Sequence, residues 1–236
     1  RAEVDAAAAR WPADWNDRSR VCDGYGLAIL RSGRARAKRA LWMMYGRYRS
    51  HCHDDIMHIG LDAHESEILG HLGYPRNWNH WYANWMTQLV ARQLPFPELT
   101  ATAQLVADVV PLHVAEALAT AFADRVDAGL GYQVDPTTGQ RRCVALVDVD
   151  EERFYAVALY QVFGGQEAWW TFHCQQDEGF RVEGLPLAPQ AGGTLAGPEV
   201  SYGDEQWLAA HGCQRTNYGY HGPMFGFAHL DKVQRG

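Results

Sequence analysis

Between His51 and His71 the chain gathers five of its eleven histidines together with five carboxylates. Imidazole and carboxylate mixtures suit zinc, iron or manganese, and imidazole is also the usual proton carrier near neutral pH. His51, Asp55 and His58 follow one another at i, i+4 and i+7, and His64, Glu67 and His71 have a similar spacing. On a helix each trio lies along one face. Asp55-x-x-His58 is moreover a carboxylate-x-x-His pair, the local geometry of carboxylate-bridged metal sites in helical bundles. These six residues are the candidate ligands for a divalent metal (Zn, Fe or Mn). They are also the candidate bases of a metal-dependent enzyme, most simply a hydrolase.

The pattern is incomplete in two respects. A two-metal bundle needs a second carboxylate-x-x-His motif and two further carboxylates, and only one such pair is found. His64-Glu65 also departs from the HExxH zinc-protease pattern, because the next histidine is His71. The order His53-Asp54, His64 and Val106-Ala107-Asp108 resembles that of the ligands in HD-type phosphohydrolases, but no histidine precedes His51 to complete that set. A second group, His173, Cys174, Asp177, His211 and Cys213, holds the residue types of a zinc or cysteine-nucleophile site. Strand alternation, however, sends His173 and Cys174 to opposite faces.

The elements that would position the first cluster read as helices. The spacing predicts a helix over 34–59, with Leu41, Tyr45, Tyr48, Cys52, Ile56 and Ile59 on a buried stripe and Gly60 ending it. Asp62 and Glu65 resemble a capping box for a short helix over 63–72. Further helices are expected over 2–10, 17–32, from Asn77 or Asn79 to about 92, and over 100–126 with a kink or break at Pro111. After Gln133 the pattern changes to strands: 143–149, 154–163, 168–175 and 180–185, joined in an antiparallel meander. Residues 154–163 are apolar on both faces, which predicts a central strand. Asp204 is placed to cap a short helix to Ala210. The expected fold is therefore α+β: a helical region 1–132, then a small antiparallel sheet in 133–236 ending in an irregular tail rich in aromatics and glycine.

Composition bears on function. The 236 residues carry a net charge of −7, unevenly spread: residues 1–49 hold eleven Lys/Arg against five Asp/Glu, the remainder ten against twenty-three. Nine Trp and eleven Tyr exceed what a core of this size needs and suit contact surfaces. The five cysteines form no CxxC pair, which argues against a disulfide framework and a zinc ribbon. A reducing compartment is expected: the cytoplasm, or an organelle matrix if Arg1 follows a removed presequence. No apolar run is long enough for a spanning helix. The chain lacks a P-loop, a dinucleotide fingerprint, a GxSxG elbow and kinase signatures.

These observations favour a non-catalytic accessory subunit of a larger assembly. Its partners would be other protein subunits, contacted through Arg34, Arg36, Lys38, Arg39, Trp81 and Trp85. The alternatives are the metal-dependent enzyme and, through the basic segment 31–49, a nucleic-acid binder.

Overall fold

The computed structural model describes residues 18–46, 57–70, 99–121, 139–164, 182–211, 214–216, 219–221 and 225–236, together with 2, 3, 6 and 10. Its contacts divide the chain into two compact units: residues 1–49, 56–71 and 97–164 form one, and 50–55, 72–96 and 165–236 the other. Residues 122–138, where the helical and sheet regions expected from sequence meet, lie outside the described residues.

The first unit is a β-sandwich. Five antiparallel strands, β1 (Arg20–Cys22), β2 (Leu27–Ser32), β3 (Arg39–Met44), β4 (His58–Ala63) and β5 (Ser66–Leu69), form one sheet in sequence order. Four more, β6 (Leu99–Val109), β7 (Leu112–Ala121), β8 (Gly139–Asp148) and β9 (Phe154–Phe163), form the second, also as a meander. The sheets face each other over a core containing Ala28, Leu30, Leu41, Met43 and Tyr45 from the first and Ala115, Ala117, Ala119, Val144 and Leu146 from the second.

The expected helical N-terminal half is thus overturned: the described residues are predominantly β, and the α+β assignment does not hold. The segments expected as helices over 17–32, 34–59, 63–72 and 100–126 supply seven strands, β1–β7. The reason is that burial follows a period of two. Leu41, Met43 and Tyr45 are buried at alternate positions, as are Ala115, Ala117 and Ala119. The side chains are Leu, Met and Ala, good helix formers, yet tertiary packing overrides that weak preference. Alanine on the inward face lets the two sheets approach closely. Pro111 breaks no helix; it sits in the tight turn between β6 and β7. His64-Glu65 forms the two-residue turn of the β4–β5 hairpin, both with positive φ (52° and 60°). This is the backbone of a type I′ hairpin turn, normally given to Asn-Gly.

Two expectations agree with the structure. The β8–β9 hairpin turns back at Asp150-Glu151-Glu152 as read from sequence. In the second unit, helix α1 (Glu205–Ala210) starts where expected, with Asp204 Oδ1 accepting from the Trp207 N–H at 2.8 Å. One expectation about β9 does not agree: β9 is the last described strand of its sheet, and it is exposed on both faces.

The second unit contains, besides α1, two short strand pairs: β10 (Ala188–Pro189) with β13 (Gln234–Arg235), and β11 (Gln214–Thr216) with β12 (Gly219–His221). A 3-10 turn at Phe225–His229 packs Ala228 against Val200 and Leu208. Among the described residues no helix is long and apolar enough to cross a membrane.

Candidate functional site

The strand assignment disperses the histidine cluster. His58 and His64 stand at the two ends of β4, about 20 Å apart at ~3.3 Å per residue. They do not share a helix face. His58 packs beside the Trp42 ring, with centroids 5.5 Å apart, and His64 lies 5.9 Å from the Phe154 ring. Glu67 is exposed on β5. His51, Asp55 and His71 lie outside the described residues. Among the described residues, no group of three or more His, Cys, Asp or Glu is placed to hold a metal ion. Of the six expected ligands, the three described ones, His58, His64 and Glu67, are not gathered to hold a metal ion.

Of the expected contact residues, Arg34, Arg36 and Lys38 are exposed on the β2–β3 turn. Arg36 lies 3.7 Å from Glu65. Arg39 is buried. Trp81 and Trp85 lie outside the described residues, as do His173, Cys174, Asp177 and Cys213. His211 stacks on Trp207 in the second unit, with centroids 4.0 Å apart. A cavity of about 490 Å³ opens beside the β2–β3 and β4–β5 turns. Arg31 and Lys38 line it from the first side, and Asp62, Glu65 and Glu67 from the second.

A part-buried polar cluster at the same end of the sandwich has the residue types of a catalytic site. It joins Ser32 and Arg39 of one sheet to Asp108, His113 and Asp148 of the other. Asp108 and His113 are cross-strand neighbours on β6 and β7, and the His113 Nδ1–H donates to Asp108 Oδ1 at 2.6 Å. His113 Nε2 faces Asp148 Oδ2 at 3.6 Å, beyond hydrogen-bonding distance. Ser32 Oγ donates to the same Asp148 oxygen.

Arg39 ties this cluster together. Its Nε and Nη2 donate to Asp148 Oδ1 at 2.9 and 2.7 Å. Nη2 also reaches the Asp150 carbonyl at 3.1 Å. Nη1 donates to the carbonyls of Glu151 and Ala37 at 3.0 and 3.3 Å. A guanidinium has five N–H donors, and all are engaged. The guanidinium also lies over the Phe154 ring, 5.1 Å from its centroid. The Arg39 side chain is 1% exposed and that of Asp148 9%. The arrangement ties the β2–β3 turn to the β8–β9 turn and acts as a clasp between the sheets.

A second buried cation, Arg142, donates from Nη1 to the Met57 carbonyl at 2.7 Å and lies over the Tyr160 ring. Burial pulls its pKa down. Burial likewise pushes Tyr160 up to about 12, against the opposing pull of Arg142. The Tyr160 hydroxyl donates to Gln140 Oε1. This group too is internal.

What the sandwich leaves open is the outer face of the β6–β9 sheet. The strand register lays its outward residues in four rows across β6, β7, β8 and β9. The first row is Val109, Leu112, Val147 and Tyr155, and the second Ala107, Val114, Ala145 and Val157. Neither row contains a charge. The third, Gln104, Glu116, Cys143 and Leu159, and the fourth, Thr102, Leu118, Arg141 and Gln161, carry one acid and one base. Arg141 Nη2 and Glu116 Oε2 meet at 2.7 Å. Burial, followed by the Glu116 charge, raises the Cys143 thiol pKa. Leu159 is 66% exposed, Tyr155 52% and Val109 67%.

This face was not expected from sequence, because residues 100–126 were read as a helix. The signal was there in the alternation of Ala115, Ala117 and Ala119 with Val114, Glu116 and Leu118. No protein-family model, curated protein or solved structure matches the chain.

Proposed function

We propose that the protein is a non-catalytic accessory subunit of a larger protein assembly, and that it docks through the outer face of the β6–β9 sheet. The observation that carries this reading is the pair of uncharged rows from Val109 to Tyr155 and from Ala107 to Val157, in which Val109, Leu112, Tyr155 and Val157 are exposed beside Leu159 and Leu118. Contiguous apolar patches larger than a few hundred Å² are rare on proteins that act alone, and they mark interaction sites. The polar cluster at the sandwich end supports the same reading from the other direction, because its donors are spent on holding the sheets together.

The basic turn is a secondary contact at most. Its Arg36 and Lys38 lie beside Asp62, Glu65 and Glu67 of the neighbouring hairpin, so the surface does not present the single sign that a polyanion such as nucleic acid requires.

The test is an apolar fluorescent dye titrated into dilute native protein. Val157→Lys combined with Leu159→Lys is expected to abolish most dye binding while leaving the melting temperature within about 4 °C of the parent. Dye binding that is absent in the parent, or that survives both lysines, would reject this surface as the docking site.

A further inference from the structure

We infer that the partner covering the β6–β9 face is a second copy of this chain, packed sheet against sheet about a two-fold axis. The inference rests on the docking role proposed above and identifies its occupant. Two observations carry it: the size of the face and its charge pattern.

The face comprises four strands of about ten residues. With strands ~4.8 Å apart and ~3.4 Å of rise per residue, it covers roughly 650 Å². Two such faces together bury roughly 1,300 Å², within the range of a standard stable interface. Aligned packing of two sheets, about 10 Å apart with interdigitating apolar side chains, is the ordinary way such faces are covered.

The charge pattern suits a second copy. A two-fold axis running along the strands, between β7 and β8, lays each row of one copy over the same row of the other. β7 then faces β8 of the second copy, and β6 faces β9. The two uncharged rows meet each other. In the third row Glu116 comes over the second copy's Cys143, next along that strand to its Arg141. Glu116 and Arg141 already pair within each copy at 2.7 Å, so this superposition brings no unpaired charge into the interface. A face whose one acid and one base neutralise each other can lie against its own copy, as an isologous interface requires.

Sedimentation velocity on the full chain, from nanomolar to high-micromolar concentration, tests this. The parent is expected to pass from monomer to dimer, and Val157→Lys to remain monomeric with an unchanged circular dichroism spectrum. Glu116→Arg alone and Arg141→Glu alone should each weaken dimerisation roughly tenfold or more, and the double exchange should restore it. A parent that stays monomeric at every concentration overturns the second-copy assignment. If that monomer still binds the apolar dye, and Val157→Lys abolishes the binding, the face docks on a different protein. If it binds no dye, the docking role falls as well. A dimer unaffected by Val157→Lys and by both charge changes also overturns the assignment, because it forms elsewhere.

Discussion

Two regions of one sandwich make opposite use of their residues. At the turn end, Ser32, Arg39, Asp108, His113 and Asp148 have the chemical types of an active site, and the structure engages nearly all of their polar atoms with one another. On the outer face of the β6–β9 sheet, Leu112, Val157 and Leu159 are apolar, and the sandwich leaves them and Tyr155 uncovered. Residue type alone would place function in the first region. Counting which groups are already satisfied favours the second, the docking face proposed above. A buried arginine whose five donors are used contributes to folding, whereas apolar surface left in water is free energy available to a partner.

The sharpest way to break this comparison is at the clasp. Arg39→Met leaves Asp148 buried without its counter-charge and is expected to destabilise the fold by about 3–5 kcal/mol in urea unfolding. Arg39→Met with Asp148→Leu should recover much of that loss, because the uncompensated charge goes with it. If the single change costs no more than an exposed substitution, the clasp does not hold the sheets.

Leu146→Ala on the inward side of β8 should cost about 2–5 kcal/mol through lost burial and a residual cavity. Alkaline titration gives a smaller effect. The folded state holds Tyr160 protonated up to about 12, above its usual value of 10. Below pH 10 both folded and unfolded chains carry the proton, and the contribution of this group is complete. As pH rises from 10 towards 12 the unfolded chain ionises first, and stability falls by up to roughly 1.4 kcal/mol per pH unit from this group. Tyr160→Phe should flatten that part of the stability–pH curve; an unchanged curve would place the alkaline transition elsewhere. The smallest expected effect is at the outer face, where Leu159→Lys should change unfolding by no more than about 0.5 kcal/mol. A large loss there would mean that the residue belongs to the core.

The sequence made part of this legible. The β8–β9 hairpin and helix α1 are visible because their turn and cap residues, Asp150-Glu151-Glu152 and Asp204, act locally. The N-terminal sheets are hidden by their own composition. Leu41, Met43, Ala115, Ala117 and Ala119 are strong helix formers, and Leu41 and Tyr45 satisfy a helical spacing as well as a strand alternation. The clasp could not be read in advance, since Arg39 and Asp148 lie 109 residues apart and meet only when the sheets pack. His58 and His64 illustrate the converse: close spacing in sequence suggested a shared site, and an extended strand separates them. The uncharged face was partly legible. Residues 154–163 are apolar on both sides, which predicts a covered central strand; the structure instead exposes both sides of it.

The central claim, that the outer face of the β6–β9 sheet is covered when the protein associates, is tested most directly by hydroxyl-radical footprinting of the native chain across a concentration series. Tyr155 and Leu159 should be oxidised readily in dilute solution and protected together as association proceeds, while Tyr202, exposed in the second unit, stays reactive throughout. Oxidation of Tyr155 and Leu159 that does not change while the protein associates would contradict the account.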